Sequence, residues 1–113
     1  MALPHPLPPD LVELIARRFR VLGEPMRIRL LDHLREGEAT VGELSQALEA
    51  SQQNISKHLA VLTDAGVLER RKDGNHVYYR IADEGVFTLC EDVCGSLQEQ
   101  LRSLSELIAG VTP

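Results

Sequence analysis

The sequence predicts a mainly α-helical domain that carries one small β-hairpin, and three observations support this. Two short helices, each with its own start signal, follow one another between Thr40 and Ala65. A basic, alternating segment with a Gly-containing turn comes directly after them. The last helix then repeats apolar residues at spacings of three and four. Two short helices with a tight turn, followed by a basic hairpin, are typical of a winged helix-turn-helix.

Length and composition set the broad class. A chain of 113 residues predicts one domain, which we place at residues 10–109, after a Pro-rich segment over residues 1–9 that we expect to be mobile. The sequence has no apolar run of about 18 residues and no signal peptide, so we expect a cytoplasmic protein with no membrane partner. Its two cysteines are then expected to be free thiols. No phosphate loop or nucleophile motif is present, so no enzyme is predicted.

The charge of the chain is distributed unevenly. The net charge is −5, yet residues 51–81 carry a net +2 and residues 82–113 a net −5. A molecule with this polarity can place its basic part on a polyanion and keep its acidic part away from it. A mixed, solvated surface is the alternative interpretation.

Two helices are predicted ahead of the helix-turn-helix. The first runs from an N-cap at Asp10 to about Leu22, where Gly23 ends it. The second opens at Pro25 and reaches about Arg35. The apolar side chains that we expect the second helix to bury are Ile28, Leu31 and Leu34.

The helix-turn-helix has two N-terminal signals. Thr40 and Glu43 have the spacing of a capping box, and Ser51 is the predicted N-cap of the second helix, which we call the reader helix. Apolar residues four and three apart predict its buried face: Ile55, Leu59 and Leu62. The opposite face offers polar groups suited to bases and phosphates: Ser51, Gln52, Gln53, Ser56 and Lys57.

Side-chain chemistry separates the roles on the reader helix. A glutamine amide can bind adenine in a bidentate manner, whereas Lys57 suits a phosphate. His58 lies on the flank of the buried face, so that a packed, hydrogen-bonded histidine and a DNA contact both stay open. A solvated helix face is the alternative for all of these polar residues. The position of the reader helix between a tight turn and a hairpin favours DNA contact.

A hairpin over residues 69–81 follows, with Asp73-Gly74-Asn75 at its turn, where Gly supplies a positive φ. A two-stranded ribbon is marginal alone, so it should pack on the helices as a wing. The wing residues predicted to contact DNA are Arg70, Arg71, Lys72, Asn75 and His76. Protection of a strand edge against aggregation is the alternative role for the basic ones.

The last helix is predicted from a cap at Asp83 to about Ala109. Its heptad spacing calls for a partner helix, which could be the first helix of the same chain, a copy in a second chain, or both. We call this set of apolar positions on the first and last helices the dimer seam: Leu11, Leu14, Phe87, Cys90, Cys94, Leu97, Leu101, Leu104 and Ile108.

With this order of elements, the sequence resembles the ArsR/SmtB family of winged-helix repressors over about residues 14–107. The segments that carry the resemblance are Leu22–Leu31, Ser51–Leu62, Ala65–Leu68 and the wing Gly74–Tyr79. The resemblance implies a homodimer, joined by the first and last helices, that leaves its double-stranded DNA operator when an inducer binds. A winged helix that docks a protein is the alternative, and it predicts an apolar exposed face on the reader helix.

The metal sites of that family do not carry over to this sequence. One has two cysteines at the start of the third helix, and the other has two histidines and two acidic residues on the last helices. The corresponding positions here lack the cysteines and both histidines: Thr40, Gly42, Asp83, Gly85, Ser96 and Glu99. The sequence therefore identifies no complete metal site.

Cys90 and Cys94 are the candidate inducer thiols. Their i, i+4 spacing holds the Cβ atoms about 5–6 Å apart, whereas a disulfide needs about 3.5–4.5 Å. The spacing suits two ligands of one soft metal or metalloid ion, completed by a second chain or by Glu91 or Asp92. A reactive sulfur species that links the two chains, packing as small hydrophobes, and a regulator with no thiol or metal inducer remain alternatives.

Overall fold

The computed structural model describes residues 2–110, which fall into two compact units that divide after Ala82. The predicted fold class is confirmed within these residues, with five helices and a small antiparallel sheet. Residues 2–8 are exposed and lie outside helices and strands. The elements are α1 Pro9–Leu22, α2 Pro25–Leu34, β1 Ala39–Thr40, α3 Val41–Leu48, α4 Gln52–Asp64, β2 Leu68–Asp73, β3 His76–Ile81 and α5 Gly85–Ala109.

The predicted cap of α1 is wrong. The helix begins at Pro9, and Pro8 occupies the N-cap position without a side-chain hydrogen bond. Proline suits the first turn of a helix because the backbone N–H groups of that turn make no hydrogen bond within the helix, so that the N–H that proline lacks is not needed there. Asp10 lies inside the first turn instead, where its negative charge complements the helix dipole. The end at Leu22 is confirmed.

The predicted burial on α2 is wrong at one position. Leu31 and Leu34 are buried, but Ile28 is 47% exposed, and Leu30 is fully buried in its place. The positions of α2 that face the core are 27, 30, 31 and 34, which is the spacing of one helix face. Arg27 therefore lies on this face, and Ile28 does not. The helix begins at Pro25 as predicted, and the Glu24 side chain caps it by accepting from the Arg27 amide.

Both caps of the helix-turn-helix are confirmed. Thr40 Oγ1 accepts from the Glu43 amide at 3.2 Å, while a Glu43 carboxylate oxygen accepts from the Thr40 amide at 3.1 Å. The Ser51 hydroxyl accepts from the Asn54 amide at 3.1 Å. Glu49 closes α3 in the left-handed region with φ 51°. The predicted buried face of α4 is also confirmed, because Ile55, Leu59 and Leu62 are all fully buried.

The wing contains a third strand that the sequence did not predict. The short strand β1 pairs with β3, so that the sheet order is β1-β3-β2 and Thr40 and Arg71 flank Tyr78 from opposite sides. The turn is tighter than predicted, since Asp73 belongs to β2 and only Gly74 and Asn75 form the loop. Gly74 has φ 63°, as its turn position requires.

Hydrogen bonds fix the wing to the end of the reader helix. The Val67 amide donates to the Leu62 carbonyl at 3.0 Å, and the Ala82 amide donates to the Val67 carbonyl at 2.9 Å. Val67 and Leu68 are buried. The wing is therefore packed on the helices, as expected for a small sheet.

The second unit consists of α5 within the described residues. The helix begins at Gly85, and Glu84 occupies the N-cap position without a side-chain hydrogen bond. The predicted capping residue, Asp83, lies one position earlier, and its side chain accepts from the Gly85 amide at 3.0 Å. Nowhere between residues 2 and 110 is a helix both long and apolar enough to span a membrane.

Candidate nucleic-acid interface

The outer face of α4 is polar and exposed at its N-terminal end. The predicted contact residues on this face are all exposed: Ser51, Gln52, Gln53, Ser56 and Lys57. Because the inner face of the helix is fully buried, these side chains are carried by a rigid element. Lys57 has no ion pair within the part of the chain that the structure describes, so its charge is available to an anion.

His58 is packed and hydrogen-bonded within the first unit. Its side chain is buried, with 8% of the residue exposed. Arg27 Nε donates to His58 Nδ1 at 3.1 Å, and Glu24 Oε2 lies 3.7 Å from the same nitrogen. Arg27 Nη1 also donates to the Val21 carbonyl at 3.1 Å. Through these contacts with Arg27, His58 ties the reader helix to α1 and α2.

The cations of the wing fall into two groups. Arg70 and Lys72 are exposed and make no ion pair among the described residues. Arg80 is paired instead, with Glu69 at 2.8 Å. Asn75 and His76 are exposed at the tip of the wing, and the centre of the His76 ring lies 6.2 Å from that of Tyr78.

Arg71 belongs to the paired group, and its partner is a residue that the sequence did not single out. Arg71 Nη2 donates to Glu38 Oε1 at 2.6 Å, and Arg71 Nε donates to Glu38 Oε2 at 3.3 Å. The hydrogen bond from Arg71 holds the pKa of Glu38 below its ordinary value, and the same bond raises the pKa of Arg71. No local pattern could reveal this pair, because 33 positions separate the two residues.

The two thiols lie on the second unit. Cys90 and Cys94 are free and exposed on α5. Across residues 2–110 no three His, Cys, Asp or Glu side chains are grouped as a metal site would need.

A family model described as a helix-turn-helix domain matches residues 22–71, from the last residue of α1 into β2. The matched range includes the whole reader helix and the first four residues of β2. The exposed polar face of α4 therefore lies within the matched range.

Named relatives extend the match to most of the chain. The regulator KmtR of Mycobacterium tuberculosis is 36% identical over 89 residues, which cover 79% of this chain and 68% of KmtR. The repressor SmtB of the same organism is 38% identical over 80 residues, or 71% of this chain and 59% of SmtB. Both are named as transcriptional regulators and not as enzymes.

One solved structure is similar to this chain over most of its length. It is the homodimeric winged helix-turn-helix DNA-binding domain of a possible ArsR-family transcriptional regulator from Mycobacterium bovis. The sequences are 32% identical, the TM-score is 0.73, and the match covers 89% of this chain and 94% of that domain.

Proposed function

Because this chain belongs to the ArsR/SmtB family of winged-helix transcriptional repressors, we propose that it acts as a homodimer on an inverted-repeat DNA operator and leaves the operator when an inducer binds. The observation that supports the operator contact most directly is the exposed polar face of α4, opposite a fully buried face. Two reader helices related by a two-fold axis would read half-sites about one turn, roughly 10 bp, apart.

The roles within the interface follow from chemistry and exposure. Gln52 and Gln53 are exposed amides at the N-terminal end of a reader helix, the end that meets base edges in the major groove. Lys57, Arg70 and Lys72 are exposed cations without ion pairs in the described chain, and they suit phosphates. His58 is left out of the contact set because its side chain is buried.

A protein-docking winged helix finds no support at the reader helix. That function needs an apolar exposed face there, and the exposed residues of the first turns are Gln52, Gln53, Ser56 and Lys57.

The operator contact can be tested by fluorescence anisotropy with promoter DNA and random DNA across a range of salt concentrations. Gln53→Ala should cost about 1–3 kcal/mol on the best site and relax its sequence preference. Lys57→Ala should weaken both DNAs alike and lower the salt slope by about one. If Gln53→Ala weakened both DNAs equally, the residue would not be a base reader. If the wild-type protein bound neither DNA at low salt, the proposed function would be wrong.

The homodimer is proposed to form along the dimer seam. Leu97, Leu101, Leu104 and Ile108 are more than half exposed in the single chain. Leu14 on α1 is exposed as well. A heptad row of exposed leucines is the surface that a second chain covers in a helical dimer.

Cys90 and Cys94 are proposed as the site where the inducer acts. Both thiols are exposed, one helical turn apart, within the proposed seam. A soft metal or metalloid ion would take both thiolates, and its remaining ligands would come from the second chain, since one chain holds no larger cluster in its described part. Binding there would change the seam and with it the distance between the reader helices.

The inducer proposal is tested by operator release. The double variant Cys90→Ser and Cys94→Ser should keep operator affinity and lose the response to arsenite, cadmium, zinc or a persulfide donor. If the wild type ignored all four, or if the double variant responded like the wild type, the cysteines would be packing residues of the seam.

A further inference from the structure

The guanidinium of Arg71 is enclosed on three sides. Glu38 binds its Nε and Nη2 edge with two hydrogen bonds, at 3.3 and 2.6 Å. Asp73 Oδ2 lies 3.5 Å from Nη1. The flat face of the group lies 4.7 Å from the centre of the Tyr78 ring. Two carboxylates and an aromatic ring therefore already contact this guanidinium.

The contact with Glu38 reproduces the geometry of a phosphate contact. Arginine binds carboxylates and phosphates in the same way, through a planar fork that donates two N–H groups to two oxygens. With Glu38 and Asp73 beside it, Arg71 lies at the centre of a cluster whose net charge is −1. In this arrangement the residue adds no positive charge to the wing.

The sheet positions Glu38 beside Arg71, but the ion pair between them can be replaced by another contact. Glu38 directly precedes β1, which is hydrogen-bonded to β3, so the sheet holds its backbone beside the wing. The two side chains are nonetheless solvent-accessible, at 37% exposed for Glu38 and 43% for Arg71. Exposed ion pairs contribute little to folding stability. A phosphate that approaches Arg71 could therefore replace Glu38 at small cost to the fold.

We propose that Glu38 is a positioning residue that occupies Arg71 in place of a DNA phosphate, so that the DNA backbone must displace Glu38 before Arg71 can contribute to binding. This inference rests on the proposed DNA-binding function. It assigns the first contact of the wing to Arg70 and Lys72, whose charges are unpaired in the described chain. Arg71 becomes a conditional contact, which forms only when a phosphate lies close enough to compete.

Competition between Glu38 and a phosphate for Arg71 should change the salt dependence of DNA binding. When DNA displaces Glu38 in the wild type, the freed carboxylate attracts a cation from solution, which offsets the counterion that the phosphate releases. Glu38→Gln removes this offset, so the variant should gain one net phosphate contact. The salt slope should then steepen by about 0.9, and the gain in affinity should grow about threefold as salt falls from 200 to 50 mM.

The test compares five proteins on the same DNA: the wild type, Glu38→Gln, Arg71→Gln, the double variant and Lys72→Gln. Glu36→Gln is the matched control, because it removes the same charge two positions before Glu38. Glu36 is exposed and has no ion pair in the described chain. Thermal melting of each variant checks that the fold is intact.

The expected result is tighter binding to both operator and random DNA for Glu38→Gln, with the steeper slope, and no such gain for Glu36→Gln. The double variant should lose the gain, because the gain is carried by Arg71. Arg71→Gln alone should weaken binding less than Lys72→Gln does.

Three results would overturn the inference while the DNA-binding function stands. One is equal affinity for Glu38→Gln and Glu36→Gln, and another is a gain that persists in the double variant. The third is weaker binding by Glu38→Gln, since Glu38 would then support the wing and not compete with DNA. Absence of any salt-dependent binding by the wild type would overturn the proposed function and this inference together.

Discussion

The reader helix α4 and the C-terminal helix α5 carry the same apolar spacing but bury it differently. In α4 the residues at positions 55, 59 and 62 are fully buried within the first unit. In α5 the residues at 97, 101 and 104 are 53%, 66% and 54% exposed. A spacing of four and three thus predicts that a helix has an apolar face, but not whether its own chain covers that face.

The polar faces of the two helices differ in a complementary way. The outer face of α4 presents amides, a hydroxyl and a lysine without an ion pair in the described chain. On α5, Arg102 is paired with both Glu99 and Glu106, so its charge is neutralised on the helix itself. Free cations opposite a buried face suit a polyanion, whereas a row of exposed leucines on a helix with no free cation in its described part suits a second protein chain.

The largest expected effect is the loss of the dimer when a charge enters the seam. Leu101→Glu should make the protein monomeric at micromolar concentration in analytical ultracentrifugation. Burying a leucine in the proposed dimer contributes about 1.5–3 kcal/mol for each protomer. The dimer therefore loses about 3–6 kcal/mol of stability before the effect of the charge is counted. Operator affinity should fall with it, because two half-sites are then no longer bound together.

Gln100→Glu is the matched control, since it adds the same charge one position away, at an exposed site outside the heptad row. It should remain dimeric. If both variants dimerised like the wild type, α5 would not form the seam, and a second chain would not be the reason why its leucines are exposed.

A smaller effect is expected from a cavity on the buried side of α4. Leu59→Ala should lower the free energy of unfolding by about 2–5 kcal/mol in urea, because Leu59 is fully buried. The loss should be the same at every protein concentration, whereas that of Leu101→Ala should reflect the dimer equilibrium and change with concentration. A concentration-dependent loss for Leu59→Ala would mean that α4 also contributes to the dimer.

His58 and Lys57 allow the two sides of α4 to be separated at adjacent positions. His58→Ala should cost about 1–3 kcal/mol of stability, because Arg27 loses its buried acceptor. Lys57→Ala should change stability by no more than about 0.5 kcal/mol. The order should reverse for DNA, with Lys57→Ala binding more weakly and His58→Ala keeping its salt slope. A lower salt slope for His58→Ala would place this histidine at a phosphate.

Elements with local signals were predictable from the sequence. The capping box of Thr40 and Glu43 and the Ser51 cap each join groups three positions apart, and both form as predicted. The two-residue strand β1 was missed because it is too short to show any alternation. Its pairing with β3 depends on the fold as a whole.

The error at Ile28 has the same physical origin. Ile28 is apolar and was predicted to lie in the core, but the core-facing position belongs to Arg27, whose guanidinium finds acceptors at His58 and Val21. The pairing of Arg71 could not be predicted either, because its partner Glu38 lies 33 positions away. Burial and pairing of charged side chains depend on which elements pack together, and single-residue chemistry does not reveal this.

The smallest expected effect concerns the Glu38 carboxyl group. The hydrogen bond from Arg71 is the main cause that lowers its pKa from the ordinary value of 4.5. A group whose pKa is lowered by folding adds stability above its unfolded pKa and loses it as the pH falls through the folded pKa, so the pair should fail only in the acid range below 4.5. A ¹³C NMR titration of the Glu38 carboxyl should show a midpoint below 4.5 in the wild type and a shift back towards 4.5 in Arg71→Gln. Arg70→Gln removes the same charge without this hydrogen bond and should leave the midpoint close to the wild-type one. If Arg70→Gln and Arg71→Gln raised the midpoint equally, Glu38 would respond to the general charge of the wing, and its fork with Arg71 would not persist in solution.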